Sequence, residues 1–460
     1  MTKTVVIAID SSARELVGCS LLAGYLASMG IKCVLCSILS FPEYYARYKP
    51  EAVVWPNVFW DLSHVAEASF VFVLPSESCN GQHGQISIHA GRSGNPAYTE
   101  TIERFFCWGP GMKEVLLETG AWKDWQLVVT GSPATDQWLL PRSSAAPAER
   151  RIGLTTNFRA LSNSKPPRKM NYFEWLDETE SSGGDGTYFL PPEHAESWVF
   201  FEASLARAVI RLVRTLAVER AETLEIRPHP QEMKCRYAYL SGITQGRVTT
   251  TKTGTISEWL SDKSILFTCT SASALDAVVR GVPVVSLRGL LDPDAVRKIP
   301  DHFRYTYEDM LWQMEDVGQA VEYVELAEKG KLKPCRDEEG IARFLERYFA
   351  FPRRVPAAQQ VAIEIKRVLD QDRRPTAGAG PRRPLQSRNP IGKIRVRDFP
   401  MLAQIMTFGR YIKSLMPGHV DLSYSYWPWR LRERKAAIRR ADLIRASADR
   451  HAHPPSGFAA

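Results

Sequence analysis

No stretch of the 460-residue chain approaches the ~18 uncharged apolar residues that a membrane-spanning helix needs. The N-terminal Met-Thr-Lys-Thr runs straight into the short strand Val5–Ile9, without the longer apolar region and cleavage site of a secretory signal. These two absences predict a cytoplasmic protein. Cysteine is sparse, with Cys19, Cys33, Cys36, Cys79, Cys107, Cys235, Cys269 and Cys335 spread along the chain. Only Cys33 and Cys36 are close, inside a mostly apolar run, and no second pair or His cluster completes a zinc site. The thiols therefore read as buried groups in a reducing compartment, and neither a metal nor another cofactor is expected. There is no internal repeat. The body also lacks a basic surplus, despite a net charge of +8. Residues 371–460 hold 18 Lys and Arg against 6 Asp and Glu, leaving 41 against 45 in the first 370 residues. That balance argues against a nucleic-acid groove through the fold and for a tail that meets an anionic surface.

What is present is the ordinary make-up of a folded protein, 44% hydrophobic and 24% charged. The length allows two sizeable cores and a tail. Short β-rich runs alternate with helical segments: Val5–Ile9, Cys33–Leu39, Val53–Trp55, Phe70–Leu74, Phe105–Trp108 and Leu127–Thr130 read as strands. Helices read from Arg14 to Met29 and from Gly111 to Thr119, each closed by a glycine, Gly30 and Gly120. Pro141 to Arg150 reads as a linker. A second pattern follows, with strands Ile152–Thr156, Leu224–Ile226, Ile265–Cys269 and Pro283–Leu287. Its helices are expected near Ser197–Arg220, Ala274–Arg280, about Asp309 to Lys329 and Glu338 to Tyr348, with a Gly- and Ser-rich insertion at Ser162 to Gly186. A last helix near Gln359–Leu369 is placed to cross back to the first domain. The pattern predicts an α/β chain with two doubly wound, Rossmann-like domains facing a cleft. The expected limits are 1–145, 146–370, a disordered linker at 371–390 and a basic amphipathic tail at 391–460.

Ligands of such sheets bind at the carboxyl ends of strands, so the loops there are where chemistry is sought. Arg227-Pro-His-Pro230 follows strand Leu224–Ile226 directly, and its prolines stiffen the backbone around His229. Arg227 and His229 in that position can hydrogen-bond a phosphate; a His satisfied by backbone groups in a turn fits equally. Thr270-Ser-Ala-Ser273 leads from a strand into a helix, where Thr270, Ser271 and Ser273 with free N–H groups make an anion site. The same residues also read as an ordinary N-cap. Asp10-Ser-Ser-Ala-Arg14-Glu15 follows the first strand, and Ser76-Glu77 follows the fourth. Glu15 or Glu77 can act as general base or nucleophile beside an acceptor, with Arg14 at the cleft; a carboxylate favoured by the helix dipole explains Glu15 as well. His83 and His89 read as solvated loop residues.

Taken in order, Arg14-Glu15-Leu with its Leu/Ala-rich helix and Gly30, Phe106-Cys-Trp-Gly109, Val128-Val-Thr-Gly131-Ser-Pro133 and Leu154-Thr-Thr-Asn157-Phe resemble the bacterial surface carbohydrate biosynthesis glycosyltransferase-like proteins. These are similar in turn to capsule Kdo transferases, polysialyltransferases and CDP-glycerol glycerophosphotransferases. His229-Pro230 and Thr270-Ser-Ala-Ser273 look like that superfamily's phosphate- and nucleotide-binding motifs, and Arg227 and Asn157 are taken with them as candidate nucleotide contacts. The resemblance covers residues 1 to 370. It implies a GT-B fold, a CMP- or CDP-linked sugar donor held by the second domain and a glycan or lipid-linked acceptor held by the first. Transfer of Kdo or a nonulosonic acid from a CMP donor is the activity expected, with a CDP-glycerol-type polyol-phosphate transferase and a non-catalytic scaffold as alternatives. The sequence departs from the family pattern at Ser76-Glu77-Ser78-Cys79-Asn80-Gly81, where an acidic pair before the glycine is the usual arrangement.

The tail differs in character. Tyr424-Ser-Tyr-Trp-Pro-Trp429 precedes a basic segment from Arg430 to Arg450. Trp, Tyr and Arg in an amphipathic helix suit the inner face of an anionic membrane; a helical hairpin folded back on the body is the other reading.

Overall fold

A computed structural model of the chain describes residues 2–10, 12–56, 69–76, 99–140, 151–158, 192–230, 232, 234–299 and 305–371. The described residues form two units. One takes those between 2 and 140 together with 345–371, the other those between 151 and 344.

Strands of a parallel sheet covered on both faces are apolar along their length, and the first unit is built from such runs. Its strands are β1 (Thr4–Ile9), β2 (Lys32–Ser37), β3 (Ala52–Trp55), β4 (Phe70–Val73), β5 (Ile102–Cys107) and β6 (Leu127–Val129). They pair in the order β2-β1-β3-β4-β5-β6, every pair parallel. Val5, Ile7 and Ile9 of β1 pack into one core, while the equally buried Val6 and Ala8 face the other side of the sheet. The helices of this unit are α1 (Ser12–Ser28), α2 (Phe41–Tyr48) and α3 (Pro110–Glu118). Gly30, at φ +79°, ends the turn after α1, and Gly120, at φ +67°, does the same after α3, conformations in which a side chain is strained.

The second unit repeats the plan. Its strands are β7 (Arg151–Thr155), β8 (Leu224–Arg227), β9 (Val248–Thr250), β10 (Lys263–Thr268), β11 (Val284–Ser286) and β12 (Trp312–Gln313). Their order is β12-β11-β10-β7-β8-β9, again wholly parallel. The helices are α4 (Pro192–Val213), prolonged by a π-helical turn over Arg214–Glu219, α5 (Ala238–Ile243), α6 (Ser273–Val279), α7 (Pro293–Lys298) and α8 (Gln319–Glu328), with a single further turn of helix at Ile256–Trp259. Next comes α9 (Glu338–Phe349), whose last residues already belong to the first unit. Finally α10 (Ala357–Asp370) packs Val361, Ala362, Ile365 and Leu369 into the first unit's core beside α1. Two doubly wound α/β sheets in one chain are the fold class that the strand–helix alternation predicts.

Three expectations need correction. The single helix about Asp309 to Lys329 is a 3₁₀ turn at Thr306–Met310, the edge strand β12 and then α8. Val285 and Ser286 pair with Trp312 and Gln313, so the apolar residues before α8 serve a sheet edge and not a helical face. The short elements α2, α5, α7 and β9 were not foreseen; α5, α7 and β9 are too short to set a period, whereas α2 carries Phe41, Tyr44, Tyr45 and Tyr48 at helical spacing, a signal that the sequence reading passes over. Cys235 is exposed, although Cys19, Cys36, Cys107, Cys269 and Cys335 are buried as expected. Burial pushes the Cys33 and Cys36 thiols up to about 12. No helix among the described residues is long and apolar enough to cross a membrane.

Candidate functional site

In the second unit the chain runs from β7 outward through β8 to β9, then returns to β10 on the other side of β7. The loops leaving β7 and β10 therefore part in opposite directions, which opens a crevice at their carboxyl ends. The last residues of the two strands are joined there, Thr155 Oγ1 donating to Thr268 Oγ1 at 2.7 Å. One step further out, buried Asn157 donates through Nδ2 to the carbonyl of Thr270 at 3.0 Å.

Thr270 adopts φ +49°, a left-handed conformation that a β-branched residue takes only when its surroundings impose it. Its N–H is held by the carboxylate of Glu308, and its hydroxyl donates to the Cys269 carbonyl at 2.8 Å. Tyr307 donates to the Ser271 carbonyl at 2.9 Å. The sequence reading assigned the free donors to the start of the following helix. The N–H groups of Ser273, Ala274 and Leu275 are instead turned inward to the Ser271 hydroxyl and to the Ser271 and Ala272 carbonyls. The N–H groups of Ser271 and Ala272 are the ones with no partner among the described residues. Beside them the Ser271 and Ser273 hydroxyls share one hydrogen bond of 2.6 Å, so one hydroxyl proton remains to donate elsewhere.

The β8 loop is tied to the same place by Glu232, which sequence reasoning missed. This carboxylate is fully buried. Its Oε1 accepts the His229 N–H at 2.8 Å, and it also accepts from the Tyr237 hydroxyl, the Phe158 backbone and Thr156 Oγ1, the last at 3.2 Å. Burial raises its pKa, and these four donors oppose the rise. Lys252 Nζ clamps the loop from outside by donating to the Pro230 carbonyl at 2.9 Å. His229 itself is half-buried. Arg227 donates to the carbonyls of Thr253 and Gly254 at 2.9 and 2.7 Å, which ties it to the loop after β9.

Asn157, His229 and Thr270–Ser273 thus lie at the carboxyl ends of β7, β8 and β10, which stand in the order β10-β7-β8 in the sheet. Glu308, also missed, is drawn to Thr270 across 38 residues of sequence by topology alone. Burial outweighs the Thr270 N–H and the Arg288 charge, and lifts the Glu308 pKa to about 7. Glu232 had a faint signal, a carboxylate two residues beyond the Pro-His-Pro loop; Glu308 had none.

In the first unit Glu15 lies in the opening turn of α1, 7% exposed, and accepts the Asp10 N–H through Oε2 at 3.1 Å. Arg14 belongs to the same turn, but its side chain lies outside the described residues, as does the whole of Glu77. Among the described residues no cluster of three or more His, Cys, Asp or Glu is placed to hold a metal ion.

The motifs that carry the resemblance in this unit have local structural reasons. Gly109 has no room for a Cβ, which would stand 2.4 Å from the Arg347 carbonyl oxygen. Gly131, at φ +80°, borders the Arg353 guanidinium, and Trp108 and Trp138 both pack on Phe349. The Phe-Cys-Trp-Gly and Thr-Gly-Ser-Pro segments therefore receive the returning chain from α9 to α10.

By its two sheets the chain is of the α/β class with two Rossmann-like units, the make-up of a GT-B fold. No protein-family model matches it, and no curated protein matches it. Among solved structures it is similar to Methanocaldococcus jannaschii UDP-GlcNAc 2-epimerase in complex with UDP-GlcNAc and UDP, with a TM-score of 0.45 and 10% identity over 80% of this chain and 100% of that one. It is also similar to the wall teichoic acid polymerase TagF, with a TM-score of 0.48 and 12% identity over 80% of this chain and 89% of that one. At such identities and TM-scores, substrate and chemistry rest on this chain's own residues.

Proposed function

We propose that the protein is a glycosyltransferase of surface polysaccharide biosynthesis, moving Kdo or a nonulosonic acid from a CMP-activated donor to a glycan acceptor. The observation that carries this reading is the pair of unpartnered N–H groups at Ser271 and Ala272, set with the Ser271 and Ser273 hydroxyls at the second unit's switch point. Donors fixed in this way suit the phosphate of a nucleotide, and they need no rearrangement when charge grows on it. His229 stands at the end of β8, on the far side of β7 from β10, its backbone clamped by Glu232, and in this reading adds a side-chain contact to the phosphate; Arg227 and Pro230 shape that loop, and Asn157 holds the Thr270 turn.

In the reaction an acceptor hydroxyl oxygen bonds the anomeric carbon while its proton passes to a carboxylate, Glu15 or Glu77. The bond from the anomeric carbon to the phosphate oxygen breaks with its electron pair, and CMP departs into the Ser271–Ser273 cradle. The first unit takes the acceptor and the second the donor. The separation of 18 basic residues into 371–460 supports peripheral attachment to an anionic membrane, where a lipid-linked acceptor resides, and each basic residue near such a surface adds about 1 kcal/mol. The full chain is expected to co-sediment with vesicles of anionic phospholipid at low salt and to be released at high salt; retention on neutral vesicles alone would refute the electrostatic attachment.

Turnover of a CMP-sugar tests the chemistry. His229→Ala is expected to lower the rate by a factor equivalent to at least ~2 kcal/mol, and an unchanged rate removes His229 from the mechanism. Phosphorus in the glycan product would replace sugar transfer by polyol-phosphate transfer from a CDP-linked donor.

A further inference from the structure

Helix α4 has two contrasting faces. Phe201, Leu205, Ala208, Leu212 and Val213 recur at the three- and four-residue spacing of one helical face and lie in the second unit's core. The opposite face carries Phe200, Arg207, Ile210 and Arg211, all exposed, and the exposed Arg214 and Val218 follow in the π-helical turn. From Phe200 to Arg214 this stripe is about 20 Å long at the helical rise. Single exposed apolar side chains are ordinary on a folded protein. What sets α4 apart is that apolar and cationic residues share its outer face with no carboxylate among them. From Ser197 to Val218 the one acidic residue is Glu202, which is fully buried. The exposed Glu196 and Glu219 bound the stretch.

The cations of this face are uncompensated. Arg207, Arg211 and Arg214 have no ion-pair or hydrogen-bonding partner for their side chains among the described residues. Helix α7 lies against α4, and the Asp292 N–H at its start donates to Ser204 Oγ at 2.8 Å. Its last residue, exposed Lys298, stands beside Phe200 with Nζ 5.9 Å from the ring centroid. Arg297 is paired with Asp294 at 2.7 Å, so Lys298 is the positive charge that α7 adds. Four cations thus surround two exposed apolar side chains on a helix whose other face is fixed in the core.

We propose that the outer face of α4, with Lys298, is a contact surface for an anionic lipid bilayer. The guanidinium groups meet lipid phosphates, while Phe200 and Ile210 enter the boundary between headgroups and acyl chains. A bilayer surface answers both kinds of residue at once. A nucleic-acid backbone answers the cations alone and gives Phe200, Ile210 and Val218 no apolar partner. The surface is made by residues outside the basic tail, and it rests neither on the tail's attachment nor on the identity of the donor.

The test is the affinity of the full chain for vesicles of mixed phosphatidylcholine and phosphatidylglycerol, with pure phosphatidylcholine vesicles as the neutral reference. The combined variant R207Q, R211Q and R214Q is expected to bind the anionic vesicles more weakly by on the order of a hundredfold. The variant K329Q, K331Q and K333Q removes the same charge from exposed positions elsewhere in the second unit and is expected to bind nearly as the wild type does. Phe200→Ser with Ile210→Ser is expected to weaken binding by at least about tenfold. All these positions are exposed, so the fold is expected to be kept. Wild-type affinity in the arginine variant overturns the surface and leaves attachment by the tail standing. Equal losses in the arginine and lysine variants overturn it too, since net charge alone would then govern binding. A loss in the arginine variant with none in the serine variant rejects the bilayer and points to a soluble acidic partner. A wild-type chain that ignores anionic vesicles overturns this surface and the tail's attachment together.

Discussion

Glu232 and Glu308 each accept a backbone N–H from the loop they hold, at His229 and at Thr270. Both carboxylates are buried, and burial is the largest influence on each. For Glu308 the sign can be worked out. Its folded pKa, about 7, lies above the ordinary glutamate value, so the folded state keeps a proton that the unfolded chain releases. The resulting stability is fully present below the ordinary value and is lost as pH rises towards 7, by about 3 kcal/mol. Urea midpoints at about pH 5 and about pH 8 should therefore differ more for the wild type than for Glu308→Gln. Equal midpoint differences in the two proteins would mean that Glu308 is not held protonated. At this scale the sequence exposes what is local. His229 and Thr270 stand out because a stiff or hydroxyl-rich loop directly follows an apolar strand, whereas Glu308 meets Thr270 only through the fold and leaves no mark in spacing.

Strands and long helices were readable because each carries its own pattern. β1 from Val5 onward, β3 throughout and β10 over Ile265–Phe267 are apolar runs, as strands buried on both faces tend to be. β9, which is Val-Thr-Thr, and β12, which is Trp-Gln, are too short to show a period, and their pairing partners are remote. The start of α10 depends on a distant residue in the same way. Asp136, fully buried after β6, accepts from Arg353 Nη2 at 2.6 Å and from the N–H groups of Ala357 and Ala358 at 2.7 and 2.9 Å. One carboxylate thus caps α10 and neutralises a nearly buried guanidinium. Asp136→Ala leaves that charge unpaired and should cost about 3–5 kcal/mol in urea unfolding. A loss below about 1 kcal/mol would show that α10 is held by its apolar face alone.

Across the whole molecule the two sheets share one plan. In each, the first strand lies between the second strand and a later one, and the residues proposed for chemistry collect where the chain reverses direction: Glu15 after β1, Asn157 and Thr270 after β7 and β10. Alternating strand and helix patterns made the two sheets legible, and the rule that ligands bind at strand carboxyl ends is what singles out these loops as candidates. The carboxylates that hold the second unit's loops, Glu232 and Glu308, come from residues whose roles exist only once the sheet is folded.

Thermal stabilisation of the wild type and of His229→Ala by CMP, CDP, UDP and GDP tests the central claim, a cytidine nucleotide held at the second unit's switch point. A ligand at ~100 times its Kd stabilises the native state by about 2.7 kcal/mol. Selective stabilisation by CMP or CDP, diminished in His229→Ala, is the predicted result. A preference for UDP or GDP would contradict the donor assignment, and no response to any of the four would contradict nucleotide binding itself.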